Sequence, residues 1–371
     1  MHVLITGGAG FIGSHLADLL LSQGHSVRAL DNTDPQVHHE GPPTYLDPAV
    51  QLIDGDVRDR EAVARSLEGI DAVVHLAAAV GVGQSMYEIV HYVEANDVGT
   101  AVLLEEVIRR RSQIQKLIVA SSMSIYGEGQ YRHPSTGQGG IAPWLRPDEQ
   151  LAERLWEVLD PGGTPLEPEP TAESKPLRPT SIYAITKRNQ EEMVLVTGAA
   201  YQIPSVALRF FNVYGARQAL SNPYTGVVAI FASRLMNGRA PVIFEDGMQS
   251  RDFIDVRDVA RALSLALDST AADGQSINVG TGRATSILGI ADLLAQGIGV
   301  DIEPQINGEF RAGDVRHCYA DVEKVKELLN FEPRFDLETG MADLLSWLEG
   351  QTAQDRVEEA VEALVSRGLT R

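Results

Sequence analysis

Thr6-Gly-Gly-Ala-Gly-Phe-Ile-Gly13 is the stretch on which the reading of this chain turns. It follows a β-rich run, His2–Thr6, and opens a segment with helical spacing, Ser14–Ser22. Gly8, Gly10 and Gly13 satisfy GxGxxG, while Gly7, Gly10 and Gly13 satisfy GxxGxxG. Such a loop permits a tight strand-to-helix turn and lets a pyrophosphate approach backbone N–H groups at the helix start. Outward from it, Ser26–Leu30, Val50–Asp54, Ala72–Leu76 and Lys116–Ser121 read as further strands. Arg60–Leu67 and Tyr87–Arg110 carry helical spacing between them. Apolar strands separated by helices predict an α/β fold, a doubly wound parallel sheet covered on both faces.

An acid follows at the distance such a loop requires. Asp31 ends the second strand, where a carboxylate accepts from a ribose diol and repels a 2′-phosphate, so NAD is expected rather than NADP. Tyr183-Ala-Ile-Thr-Lys187 places a phenol and an ammonium one helical turn apart on the same face. A tyrosine with an ordinary pKa of about 10 is scarcely ionised near neutrality. Lowering it by about three units takes roughly 4 kcal/mol, the scale of two cations in a dry pocket. Ser121 and Ser122 end the fifth strand on the same sheet edge, and either hydroxyl can donate beside that phenol.

Composition narrows the function classes. The 371 residues are 44% hydrophobic and 22% charged, which excludes a disordered chain. The formal charge of -20 makes nucleic acid and anionic membrane unlikely partners, so any anionic substrate needs a local cluster of cations. The single cysteine, Cys318, excludes an internal disulfide framework and a multi-thiolate metal site. The chain enters a strand at His2, leaving no room for a signal peptide, so a cytoplasmic location is expected. Nine of the eighteen prolines fall between Pro134 and Pro179, marking residues 128–180 as an insertion with one helix expected over Asp148–Leu159. Beyond it, a helix is expected over Tyr183–Thr197, a strand over Ser205–Phe211 and a helix near Val227–Met236. Val242–Glu245 and Asp252–Val256 read as a hairpin turning through Asp246-Gly247. The tail from Asp355 to Leu369 is amphipathic, with Val357, Val361, Leu364 and Val365 on one stripe packed against the body or a second subunit. His38-His39-Glu40 sits in a polar loop and reads as solvated rather than metal-binding.

Taken together, the glycine loop, Asp31, Asp56-Val-Arg-Asp59, His75-Leu-Ala-Ala78, Ser121-Ser-Met-Ser-Ile-Tyr-Gly127, Tyr183/Lys187 and Arg209-Phe-Phe-Asn-Val-Tyr-Gly215 resemble the extended short-chain dehydrogenase/reductases. Within that group the chain resembles the NAD-dependent nucleotide-sugar epimerases and dehydratases. The resemblance implies a Rossmann domain over 1–205 (with its 128–180 insertion), a smaller mixed α/β nucleotide-sugar domain over 206–350 and a C-terminal helix over 351–371. It implies that Ser122 is the catalytic hydroxyl, Tyr183 the base and Lys187 the group orienting the ribose. Gly7, Gly10, Phe11, Ile12, Gly13, Asp31, Asn32, Leu76, Ala77, Ala78 and Asn96 would contact NAD, with Asp56 and Val57 at the adenine. Ser122, Ser124, Asn212, Arg251 and Arg311 would hold a nucleotide-diphosphate sugar.

The subgroup follows from what is missing. Dehydratases carry an Asp-Glu pair where this chain has Met123 and Ser124, and neither of these is an acid or base near neutrality. What remains suits a 4-epimerase, which oxidises C4 and returns the hydride to the other face; an NADH-dependent 4-ketoreductase is the alternative. Val213 to Val227, with Ile243-Phe-Glu-Asp-Gly247, is most similar to dTDP-L-rhamnose 4-epimerases. Related insertions often carry Cys-x-x-Cys pairs; this one has none, and His133 and Asp160 alone make no four-coordinate site, so no metal is expected. Val80 stands where relatives carry a cofactor-contacting Lys. The resemblance also implies a homodimer, built on the helices Tyr87–Arg110 and Tyr183–Thr197.

Overall fold

The computed structural model describes residues 1–39, 41 and 43–370. Seven parallel strands form the central sheet: β1 (His2–Thr6), β2 (Ser26–Asp31), β3 (Gln51–Asp54), β4 (Ala72–His75), β5 (Lys116–Ser122), β6 (Ser205–Phe210) and β7 (Gln275–Val279), in the order β7-β6-β5-β4-β1-β2-β3. The last two strands come from beyond the insertion, so the sheet is completed by the second half of the chain. Side chains alternate across each strand. Val3 and Ile5 pack with helices α1 (Phe11–Ser22) and α5 (Val256–Asp268) through Leu16, Leu20, Val259 and Leu263. Leu4, facing the other way, joins helices α2 (Arg60–Ser66), α3 (Gly99–Arg109) and α4 (Ile182–Tyr201) through Val63, Leu103, Val107 and Val194. Burial on both faces is why the strands read as unbroken apolar runs.

The expected helix Tyr87–Arg110 is divided. Ile89–Tyr92 and α3 flank a π-helical turn, Val93–Val98, whose extra residue per turn accompanies the buried Asn96. In the insertion, Gln130–Arg132 pairs antiparallel with Glu167–Glu169, joining its two ends. Its helix ends at Ala152 rather than Leu159. Arg154 turns left-handed at φ 58°, and the Gln150 side chain donates to the Leu155 and Glu157 carbonyls, so of Leu151, Leu155 and Leu159, which a helix of the expected length would place on one face, only Leu151 is buried.

The expected hairpin does not form. Val242–Ile243 pairs with Gln305–Ile306, Ser250–Arg251 with His317–Cys318, and Phe253–Asp255 with Asn212–Tyr214. The turn is real, with Gly247 at φ 79°, but its flanking charges pull the strands apart. Glu245 and Asp246 are drawn to Arg146 and Arg316, while Asp252 accepts from the amides of Thr281, Gly282 and Ala320. A separate apolar cluster, Phe231, Ile290, Leu294, Met341 and Leu344, gives this half its own core. The tail forms a helix, Val357–Val365, with Ala360 and Leu364 buried; Val365, expected on the packed stripe, is exposed as the last helical residue, beyond which the chain runs to a bridge with Arg311 at Thr370.

Candidate active site at the carboxyl edge of the sheet

Thr6, Asp31, His75 and Ser122 end β1, β2, β4 and β5, so the parallel register brings four of the sequence motifs to one edge. The glycine loop lies between them. Gly7 adopts φ 70°, and a Cβ on Gly13 would fall 2.2 Å from the Gly7 carbonyl oxygen. Only a bare backbone fits there, and it leaves the first-turn amides of Phe11, Ile12 and Gly13 directed out of α1 as a cradle for a pyrophosphate. Asp31 is buried, accepting from Ala9 N at 3.0 Å and Thr33 N at 2.9 Å, which fixes its carboxylate beside that cradle. Asn32 donates to Asp56 at 3.2 Å, and Arg58 grips the same carboxylate at 2.9 and 2.7 Å, holding its pKa low. Val57 is buried against Gly99. Leu76, Ala77 and Ala78 form a half-buried ledge beyond β4. This set fits a dinucleotide carrying a free ribose diol.

Asn96 stands differently from its expected contact. It is fully buried, accepts from Ala79 N at 2.7 Å, and donates to the Ala79 carbonyl and to Thr186 on α4. It therefore clamps the ledge to α4 and acts through the backbone. Val80 is exposed.

Tyr183 and Lys187 lie on α4, started by Ser181, whose hydroxyl accepts from Ala184 N. The Lys187 ammonium donates to the Ala120 carbonyl on β5 at 2.9 Å, and burial pulls its pKa down to about 7. Burial raises the Tyr183 pKa, opposed by its hydrogen bond with Ser122. The protein alone thus keeps the phenol protonated; activation needs a cation arriving with the ligand. Of the two candidate serines, the geometry brings Ser122 to the phenol; its Oγ also accepts from Ser124 N at 3.2 Å and from Ser124 Oγ at 2.9 Å. The Tyr92 ring stands edge-on to Tyr183, 6.5 Å between centroids. Behind them, Thr6, His75, Thr100 and Gln190 form a buried chain of neutral hydrogen bonds, and desolvation holds His75 down to about 3. A neutral imidazole there adds no charge beside Lys187.

Opposite this edge, Arg251 and Arg311 meet on one carboxylate. Asp314 accepts from Arg251 at 3.2 Å and from Arg311 at 2.7 Å; burial opposes ionisation, but the two guanidinium groups hold its pKa down to about 2. Arg251 also donates to the Val315 and Arg316 carbonyls, and Arg311 lies over the Phe244 ring. Asn212 is half-buried with Oδ1 shielded and without a hydrogen-bond partner among the described residues.

Sequence reasoning missed the support behind these arginines. Arg146 makes a bidentate pair with Glu245, at 2.7 and 2.9 Å, both side chains almost wholly buried. Arg316, 1% exposed, reaches Glu157 at 2.6 Å, Asp246 at 2.6 Å and Glu245 at 3.1 Å. His317 and Arg316 hold the Glu157 pKa down to about 2. Glu128 accepts from the amides of Arg316 and His317. The insertion is thereby riveted to the segment carrying Asp314. Partners so distant in sequence leave no local pattern; the one available signal is the run Arg311 to His317, dense in charge.

One histidine reading changes, and a second histidine gains a partner. His38 is buried rather than solvated, with its pKa lowered by desolvation; Glu40 lies outside the described residues. His133 donates from Nε2 to Asp160 at 3.2 Å, and Asp160 also takes the Gly162 and Thr164 amides, so the pair closes a turn. Among the described residues no group of three or more His, Cys, Asp or Glu is placed to hold a metal ion, and no helix is long and apolar enough to cross a membrane.

Residues 3–149 and 158–280 match the NAD dependent epimerase/dehydratase family. A dTDP-L-rhamnose 4-epimerase of Burkholderia thailandensis is 35% identical over 93% of this chain and 94% of its own. Among solved structures, the UDP-glucose 4-epimerase of Thermotoga maritima with UDP-glucose superposes with a TM-score of 0.77 at 32% identity, covering 94% of this chain and 99% of that one. The Thermus thermophilus UDP-glucose 4-epimerase in complex with NAD gives 0.76 at 30% identity, over 95% and 100%. Matches that take in both the sheet and the charged region opposite it make this protein a member of the NAD dependent epimerase/dehydratase family.

Proposed function

We propose that the protein is an NAD-dependent 4-epimerase of a dTDP- or UDP-linked hexose, including 6-deoxy sugars, and works by transient oxidation at C4. The observation that carries this reading is the pairing of Tyr183 with Ser122 where no further acid or base stands, since Met123 and Ser124 occupy the neighbouring positions. NAD, held by the glycine loop and Asp31, would supply a hydride acceptor and donor at C4. Tyr183 takes the proton of the C4 hydroxyl and later returns it to the inverted alkoxide. Ser122 orients that hydroxyl through its Oγ, and Ser124 holds Ser122. Lys187, one turn along α4, supplies a cation that favours the phenolate and reaches toward a ribose. Gly7, Gly10, Phe11, Ile12, Gly13, Asp31, Asn32, Asp56, Val57 and Leu76–Ala78 hold the dinucleotide, and Asn96 positions the last of these. Asn212, Arg251 and Arg311 hold the diphosphate-linked substrate; a chain of net charge -20 sets two cations on one carboxylate there, Arg251 buried and Arg311 half-exposed. In this reading residues 1–205, completed by β6, β7 and α5 from the second half, serve the cofactor, the rest of 206–350 serves the substrate, and the helix Val357–Val365 closes the molecule.

The same reading makes the protein a cytoplasmic homodimer. Val90 and Val93 before α3, and Ile185 and Val196 on α4, present exposed apolar side chains that a second copy would cover. A single buried cysteine suits a reducing compartment. The test is to incubate purified protein with dTDP- and UDP-hexoses without added cofactor. A C4-inverted product with no net NADH change is expected. Conversion only when NADH and a 4-keto sugar are supplied would overturn the epimerase in favour of a reductase. A monomer in light scattering would remove the dimer.

A further inference from the structure

We propose that the C-terminal tail, residues 357–370, is a positioning element of the nucleotide-sugar site that holds Arg311 in place for the diphosphate. The proposal rests on the reading above that Arg251 and Arg311 bind that group. The tail is fastened at three places. At its start, Arg234 and Arg239 each reach Glu358 at 2.9 Å. In its middle, Leu364 packs on Gly83, and Arg367 stacks over the Tyr87 ring, 4.3 Å from its centroid. Tyr87 in turn shares a hydrogen bond with Tyr224 at 2.7 Å. At its end, the Ala312 amide donates to the Leu369 carbonyl at 3.0 Å, and Arg311 pairs with Thr370 in an antiparallel bridge.

Arg311 to Asp314 is a turn with Gly313 at φ 78°; the Thr180 hydroxyl donates to the Gly313 carbonyl at 2.9 Å, and Arg146 and Arg251 hold the far end at the Asp314 and Val315 carbonyls, leaving Arg311 and Ala312 to the tail. Thr180 immediately precedes the helix that carries Tyr183. The Arg311 side chain is half-exposed, so its reach depends on where the backbone stands. The tail contact at Arg311 and Ala312 and the Thr180 contact at Gly313 help set that backbone before any ligand arrives, and preorganisation of this kind lowers the ordering cost of binding. Thr370 adds a second sign of a ligand. Its hydroxyl oxygen is shielded from solvent and has no hydrogen-bond partner among the described residues, an orphaned polar atom at the point where the tail meets Arg311. The tail therefore spans from the Gly83–Tyr87 segment on the cofactor side to the arginine pair on the substrate side.

The experiment compares the NAD-loaded full chain with one ending at Arg356, titrating each calorimetrically with dTDP and with UDP. The expected result is an affinity about 10-fold or more weaker in the shortened chain, the scale of one charge-assisted hydrogen bond, with NAD content unchanged. Equal affinities would overturn the proposal. Should the shortened chain not fold, full-length Leu364→Ala and Arg367→Ala decide by the same readout. Arg367→Lys, which keeps a cation over Tyr87, should restore affinity. Loss of NAD together with nucleotide affinity in those variants would mean a general stabilising role and also overturns it. A wild-type chain that binds neither nucleotide does the same. A chain that binds dTDP yet epimerises nothing would fail the function proposed above and leave the tail's role standing.

Discussion

The two walls of the cleft are built by different means. The cofactor wall is assembled from backbone amides and neutral groups: the glycine loop, the Asn96 clamp, and the Thr6–His75–Thr100–Gln190 chain. The substrate wall is assembled from charges: Arg146 and Arg316 on Glu245, Asp246 and Glu157, then Arg251 and Arg311 on Asp314. Neutral buried hydrogen bonds contribute about 1 kcal/mol each and specify geometry. Buried ion pairs gain little net stability when intact but are costly to break from one side. The cofactor wall should thus tolerate single lesions, while the substrate wall should fail sharply when one partner is removed.

The largest effect tests the junction of the walls. Tyr183→Phe removes the proposed base and should lower epimerisation by about 10²-fold to 10⁴-fold while NAD stays bound, as seen by absorbance of the purified variant. Near-normal turnover would detach the chemistry from both walls. Next comes the contrast itself. Arg146→Met takes the bidentate partner from the buried Glu245, leaving it only the 3.1 Å contact with Arg316, and should cost about 3–5 kcal/mol in urea denaturation, against about 1 kcal/mol for Thr100→Val in the neutral chain. Equal losses would erase the distinction drawn here.

The smallest effect is the pH dependence of the NAD-free protein, and it has opposite origins in the two walls. Lys187 titrates at about 7 when folded against 10.5 ordinarily, so above pH 7 the unfolded chain binds the extra proton and this contribution to stability rises with pH. Glu157 and Asp314 are held at about 2 when folded, against 4.5 and 3.8; their contributions are present above those ordinary values and are lost as pH falls toward 2. Denaturation midpoints across pH should show Lys187→Met flattening the alkaline rise and Glu157→Gln flattening part of the acid loss. The reverse assignment would show that the walls had been misjudged.

That division also explains what could be read from sequence. The five expected strands of the first half lie within a residue of their observed bounds, and Val227–Met236 coincides with its helix, because apolar periodicity and glycine spacing are local. The glycine loop, Asp31, Tyr183 and Lys187 come together for the same reason: the parallel register carries each strand end to one edge. The hairpin over Val242–Val256 failed because its turn chemistry was local but its strands answer to Arg146, Arg316 and the Thr281 loop, all far off in sequence. His38 looked solvated because its neighbours are polar; its burial is a property of the folded loop. Asn96 could be picked out as a site residue, but not its hydrogen bonds to Ala79 and Thr186, which join residues 17 and 90 positions away.

One consequence concerns Asp314, which already sits between the two arginines. A diphosphate entering as proposed does not meet bare cations wrapped in mobile ions. It exchanges one anion for another, as on an ion-exchange resin whose counterion is covalently attached. Few free ions are released in such a swap, so added salt has little mass action on it, and the affinity should fall with ionic strength far less steeply than for an open arginine patch of the same charge.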